Sequence, residues 1–297
     1  MKCVKRCYSR SLIVFWGLTF VCISIFDFVQ IDSRAQSAAP AQSEDADLRA
    51  VVESYFAACG KKDLAGVVAL WSERSPNLAT YKQSLEQQFT SEDVSYGGPA
   101  VSRVKVENEK ANLRATIALT SINLKSQQKS ERRLILSFEL VKEGGAWKVW
   151  RSASAAEDLA ETLVKAGSET ERAALLTEEK ELLTAELGQA LLTQGRRLLT
   201  QSSYSRAKEI DELALEVAER CGAKSAMAMA LVEIGRAYWA QGDYAQALER
   251  HQKGLKISEE IGDKVNAAHA LNNIGIVHSS RGDYAQALEL YQRSLKG

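Results

Sequence analysis

The sequence predicts an α+β domain followed by an all-α solenoid of stacked helical hairpins. A phrase beginning at Gly242 returns letter for letter at Gly282, forty residues later, and Tyr204 marks a more divergent third copy in the same register. A fixed period of this length indicates a repeat architecture. Upstream, the apolar period changes from about 3.6 to 2, which indicates helices followed by strands. The 297 residues include only three prolines, in keeping with a largely helical product.

Length and composition limit the classes of function. A chain of 297 residues has room for about two domains. Its 38 basic and 38 acidic side chains cancel, so it lacks the electrostatic footprint of a nucleic-acid-binding protein. Of the five cysteines only Cys59 and Cys221 lie outside the N-terminal segment, and no metal-ligand spacing occurs. We therefore expect no nucleic-acid partner, no metal and no cofactor.

The N-terminal segment has the pattern of an export signal. A basic leader opens the chain, formed by Lys2, Lys5, Arg6 and Arg10. The apolar run over residues 12–26 suits a signal-peptide core better than a membrane span of roughly twenty residues. Ser33 and Ala35 offer small side chains for cleavage, so we predict a signal peptide over residues 1–35 and an extracytoplasmic location. An uncleaved anchor is the alternative, and it would be the only membrane contact. Residues 36–45 are predicted to be a linker.

Residues 46–152 are predicted to fold as an α+β layer. Apolar residues recur at helical spacing over residues 48–59, and two further helices are expected before Gly97. Alternating apolar residues then indicate strands around Val104 and Val106, over 113–119, over 134–140 and over 147–150. Helices followed by a meander of strands favour a sheet curled over the helices.

This domain resembles the NTF2-like, or SnoaL-like, α+β cone. The resemblance is carried by Tyr55-Phe56, the turn Lys62-Asp63-Leu64 and the closing strand 145–149. Some members of that superfamily are isomerases or cyclases with an acid or base inside the cone. Here the inward strand face from Leu113 to Trp147 carries no carboxylate or histidine, and the first histidine is His251. We predict that the domain is not an enzyme; a ligand-binding or enzymatic cone with accessory repeats is the alternative.

Connecting helices are expected over residues 153–184. Ser168 and Glu171 form a capping box before an apolar run. The helix that it starts is expected to continue through Leu175, Leu176, Leu182 and Leu183, and Thr184 is predicted to cap the next one.

Residues 185–297 are predicted to contain three repeats, the last incomplete. Gly235 and Ala247 allow close helix approach, and Asp243 is placed to cap the second helix. The signature positions are Leu231, Ile234, Gly235, Tyr238, Ala247, His251 and Gly254. This pattern resembles the tetratricopeptide repeat, in the forty-residue form of kinesin-light-chain and LGN-type proteins. It is also similar to bacterial arrays that precede a CHAT-type protease, so the regulatory front part of such a protease is a further alternative. The unfinished third copy predicts either a longer array or a partner over that end.

The resemblance implies a concave groove for a protein or peptide partner. Its predicted residues are Thr193, Arg196, Glu233, Arg236, Trp239, His269, Asn272, Asn273 and Ile276. In the family an asparagine at the place of Asn273 commonly bonds the backbone of a bound peptide, whereas His251 is expected to be a packing residue. We therefore predict an exported, non-catalytic scaffold or adaptor whose partner the sequence does not identify.

Overall fold

The computed structural model describes residues 38–296. The predicted signal peptide or anchor, residues 1–35, lies outside this range. Within it, no helix combines the length and apolar character needed to cross a membrane. The described residues from Glu44 onward belong to one compact unit.

Three helices open the described chain: α1 (Ala38–Gly60), α2 (Leu64–Ala69) and α3 (Leu78–Ser91). Asp63 caps α2 by accepting a hydrogen bond from the Gly66 amide at 2.9 Å. The predicted linker over residues 36–45 overlaps the start of α1, which begins at Ala38. Alanine, glutamine and glutamate favour helix, and Pro40 falls in the first turn, where its missing amide hydrogen has no helical partner to lose.

A single antiparallel sheet follows these helices. Its strands are β1 (Glu92–Tyr96), β2 (Ala100–Glu107), β3 (Lys110–Asn123), β4 (Lys129–Glu143) and β5 (Ala146–Ser154). They lie in the order β1-β3-β4-β5, and β2 pairs with the other half of the β3 edge. Strand β1 was not predicted, because it is short, buries only Val94 and follows α3 without a break.

The core of the α+β domain lies between α1–α3 and one face of the sheet. On β3 the buried residues alternate, with Leu113, Ala115 and Ile117 facing the helices. Phe56 and Phe138 pack edge to face beneath them. The predicted helices-then-sheet architecture is confirmed.

Two helices and a short 3₁₀ turn connect the sheet to the repeats: α4 (Ala155–Lys165), α5 (Glu169–Glu178) and the turn Lys180–Leu182. The capping box is confirmed, since Ser168 Oγ accepts from the Glu171 amide at 3.1 Å and Glu171 accepts from the Gly167 amide at 2.9 Å. The predicted continuation of one helix to Leu183 is wrong, because α5 ends at Glu178. Thr184 lies at the start of the next helix but makes no side-chain capping bond.

Three helical hairpins form the rest of the described chain. Their helices are α6 (Ala185–Thr200), α7 (Tyr204–Arg220), α8 (Lys224–Ala240), α9 (Tyr244–Ile261), α10 (Lys264–Ser280) and α11 (Tyr284–Lys296). Each helix packs on the next one in the chain, and α6, α8 and α10 also pack side by side. The predicted solenoid of successive, equivalent hairpins is confirmed.

In each hairpin, a side chain of the second helix packs directly against a glycine of the first helix. A Cβ atom built on Gly235 would lie 2.5 Å from the His251 ring, and one built on Gly275 would lie 2.6 Å from the Tyr291 ring. The fully buried His251 is therefore the packing residue that the sequence predicts. Asp243 caps α9 by accepting from the Gln246 amide at 3.1 Å, also as predicted.

Candidate functional site

The first helices of the three hairpins enclose a groove of about 540 Å³. Seven predicted residues line it: Arg196, Glu233, Arg236, His269, Asn272, Asn273 and Ile276. Gln189, Met229, Val232 and Asn266 complete the lining. Residues far apart in the sequence thus share one surface, because α6, α8 and α10 lie side by side.

The repeat period could have found three of the additional residues. Gln189 and Met229 precede His269 by eighty and forty residues, and Val232 precedes Asn272 by forty. Equivalent positions of stacked repeats occupy equivalent places on the surface. Transferring the register of His269 and Asn272 to the earlier copies therefore predicts all three residues.

Two predicted groove residues do not line the groove. The Thr193 hydroxyl donates to the backbone oxygen of Gln189 at 3.0 Å, which ties it to its own helix. The indole N–H of Trp239 donates to Ser280 Oγ at 2.9 Å, and 38% of the tryptophan remains exposed. Trp239 thus links α8 to α10 outside the groove lining.

A cluster of three charged side chains forms one part of the groove. Glu233 is 5% exposed and accepts from Arg196 Nε at 2.8 Å and from Arg236 Nη1 at 2.7 Å. Each of its carboxylate oxygens thus accepts a hydrogen bond from an arginine of the groove. The guanidinium groups retain further N–H donors, since each has five.

Asp211 lies next to this cluster and is completely buried. Burial, and secondarily the charge of Glu233, raises its pKa to about 8, while Arg196 and Arg236 act in the opposite direction. On the next hairpin, burial and then the charge of Arg236 lower the pKa of His251 to about 4. Burial thus favours the uncharged form of both side chains, although one is an acid and the other a base.

Helix α10 contributes amide groups to the groove. Asn273 Nδ2 donates to the backbone oxygen of His269 at 2.8 Å, which leaves its Oδ1 as an acceptor. Asn272 is exposed. Asn266 has a structural role instead, because its Nδ2 bonds Ser225 Oγ at 3.0 Å and Asp263 Oδ2 at 2.8 Å. Asn272 and Asn273 are therefore the α10 amides able to meet a ligand.

The interior of the α+β domain has a different chemistry. The Tyr55 and Tyr81 hydroxyls are hydrogen-bonded, and Tyr81 stacks on Trp71 with ring centroids 4.5 Å apart. Burial raises the pKa of both tyrosines above the ordinary value and that of Cys59 to about 12. In the described part of this domain, residues 44–152, the buried residues include no carboxylate and no histidine. The side chains of Tyr55, Tyr81 and Cys59 stay protonated near neutral pH, so they are poor general bases.

Two family models match the chain. The model described as tetratricopeptide repeat matches residues 181–260 and 226–297. The model described as the C-terminal domain of anti-sigma-I factor RsgI9 matches residues 50–158. A search of curated proteins finds no match.

Several solved structures are similar to parts of the chain. The TPR domain of Arabidopsis FLU is 22% identical, with 37% of this chain and 92% of that one covered and a TM-score of 0.34. A ketosteroid isomerase-like protein from Erwinia carotovora atroseptica is 18% identical, with coverage of 36% and 91% and a TM-score of 0.32. A Rap protein complexed with Competence and Sporulation Factor is 22% identical, with coverage of 48% and 42% and a TM-score of 0.38.

The TM-scores of these three structures all lie below 0.5. The assignment of the repeats therefore depends on the family model and on the stacked hairpins. Residues 181–297 are tetratricopeptide repeats. The domain before them has the helices and curled antiparallel sheet that its resemblance to NTF2-like proteins implies.

Proposed function

We propose that this chain is a non-catalytic interaction protein that holds an extended segment of a partner protein in its repeat groove. The observation that carries the proposal is the convergence of the first helices of three successive repeats on one groove of about 540 Å³. Concave faces of helical repeats present extended surfaces of this kind to peptides.

The groove offers the groups that an extended peptide requires. Asn272 and Asn273 supply amides for its backbone, and the partly exposed Met229 and Ile276 supply apolar contacts for its side chains. Amides placed between apolar contacts allow backbone recognition and side-chain selection to occur together.

The place of action is part of the proposal. The basic leader and apolar run of residues 1–35 support export, so we place the partner outside the cytoplasm. Membrane contact is restricted to that segment and requires that it remain uncleaved.

Site-specific photo-crosslinking in the native cell tests the proposal. A photoreactive residue at Asn272, in the groove, is expected to give a discrete crosslinked product, whereas one at Gln252, exposed on the second helix α9, is not. The product should disappear in the variant Arg236→Ala/Asn273→Ala/Ile276→Ala, provided circular dichroism shows an intact fold. Equal crosslinking from both positions, or an unchanged product in that variant, would contradict groove binding.

A further inference from the structure

The first hairpin places a carboxyl group where the other two place a ring. Asp211 on α7 corresponds to His251 on α9 and Tyr291 on α11, at intervals of forty residues. Like those rings, it packs beneath a glycine, and a Cβ atom on Gly195 would lie 1.9 Å from Asp211 Oδ1. The side chain is 0% exposed. An acidic side chain therefore packs where the two helices of this hairpin approach closely, at Gly195.

Asp211 lacks the partners that an ionised carboxylate needs. Neither of its oxygens accepts a hydrogen bond from the described chain. The charged groups that act on it are Glu233, Arg196 and Arg236 from the neighbouring helices and Glu212 from its own. Both arginines are instead engaged with Glu233. Because a buried carboxylate without hydrogen bonds is strongly disfavoured, the carboxyl group is neutral. Its raised pKa, about 8, also favours the neutral carboxyl group.

The protonation of Asp211 sets the charge of the groove. With Asp211 neutral, two guanidinium groups face one carboxylate, and one positive charge remains uncompensated. The side chains of Arg196 and Arg236 are 39% and 41% exposed, so this charge reaches the groove. With Asp211 ionised, the four groups would sum to zero. A buried residue that does not line the groove thus controls its electrostatics.

We propose that Asp211 is a specificity-determining residue: its neutral carboxyl leaves Arg196 and Arg236 one positive charge that selects a partner segment bearing a carboxylate at that point. The inference rests on the proposed function. Guanidinium groups bind carboxylates with paired, charge-assisted hydrogen bonds. Because Met229 and Ile276 line the same groove, the selected segment has one acidic side chain with apolar residues around it.

A displayed library of random peptides is the probe. Groove-dependent clones are those that bind the natural chain but not the variant Asn273→Ala/Ile276→Ala, which keeps every charged residue. We expect these clones to share an acidic residue, and its replacement by the matching amide to weaken binding about tenfold. Binding to the natural chain should fall about tenfold as the pH passes from 7 to 9. Asp211→Asn, which is neutral at every pH, should keep its affinity over that range.

The outcomes separate this inference from the proposed function. Groove-dependent clones without a shared acidic residue, or equal pH dependence of the natural chain and Asp211→Asn, would overturn the role of Asp211 and leave groove binding intact. Recovery of no groove-dependent clone would overturn both. Carbon-13 NMR of the Asp211 carboxyl needs neither a peptide nor a variant. An ionised signal at pH 7 overturns the inference, and a protonated one supports it even if Asp211→Asn does not fold.

Discussion

Arg114 on β3 donates to Glu179, at the end of α5, across a distance of 2.7 Å. The two side chains are 12% and 11% exposed, so the ion pair is largely removed from water. Arg103 also contacts Glu179, from a bulge of β2 where its own backbone has φ +53°. The curled sheet is thereby fixed to the helices that lead into the repeats.

Removing one partner of this pair should destabilise the chain. Arg114→Met keeps the aliphatic stem but leaves Glu179 with less compensation, and we expect a loss of about 2 to 3 kcal/mol in the free energy of unfolding. Urea denaturation followed by circular dichroism measures it. Lys105→Ala is the matched control, because its pair with Glu107 is exposed and should contribute nothing measurable. Equal stability of Arg114→Met and the natural chain would refute a structural role for the pair.

The contact between Arg114 and Glu179 could not be predicted from the sequence, whereas most of the groove could. Arg114 and Glu179 are sixty-five residues apart and belong to no shared pattern; a strand and a helix end bring them together. Groove residues recur at forty-residue intervals, so one placed copy locates the others. Trp239 shows the limit of this method, since its register predicted the groove but its indole bonds Ser280 instead. Register predicts the face of a helix, not the rotamer.

Asp211 should make the fold less stable at alkaline pH. Its pKa rises from 3.8 to about 8 on folding, so between pH 4 and 8 the folded chain binds the extra proton. The free energy of unfolding should then fall as the pH rises, by about 1.4 kcal/mol per pH unit. Asp211→Asn should remove this slope and be the more stable form at pH 9. Urea titrations at pH 5, 7 and 9 test this, and parallel profiles of the two chains would show that Asp211 does not titrate in this way.

His251 should make the fold less stable at acidic pH. Its pKa falls from 6.5 to about 4 on folding, so the unfolded chain binds more protons in this interval. Its contribution to stability is complete above pH 6.5 and is lost as the pH falls to 4. His251→Tyr copies the ring that packs beneath Gly275 in the third repeat, and we expect it to fold and to lose less stability than the natural chain between pH 6.5 and 4. An identical acid profile would count against burial of a neutral His251.

Export predicts a defined N-terminus for the mature protein. Cleavage after Ala35 would give a chain that begins at Gln36. Mass spectrometry of the protein from cell fractions measures this end. A chain that retains residues 1–35 in the membrane fraction would support the uncleaved anchor, and one that retains them in the cytoplasm would contradict export.

Gly235 and Gly188 should respond to alanine in opposite directions. Both lie inside first helices of hairpins, but a Cβ atom on Gly235 would lie 2.5 Å from His251, whereas one on Gly188 would meet only the Ala214 oxygen at 3.8 Å. Gly235→Ala should therefore cost about 1 to 3 kcal/mol, because the hairpin must open to admit a methyl group. Gly188→Ala should stabilise by up to about 1 kcal/mol, since alanine is the better helix former and the contact is ordinary. Thermal unfolding of both variants tests the pair. If Gly235→Ala were as stable as Gly188→Ala, the close approach of α8 and α9 at that glycine would not be a determinant of the repeat.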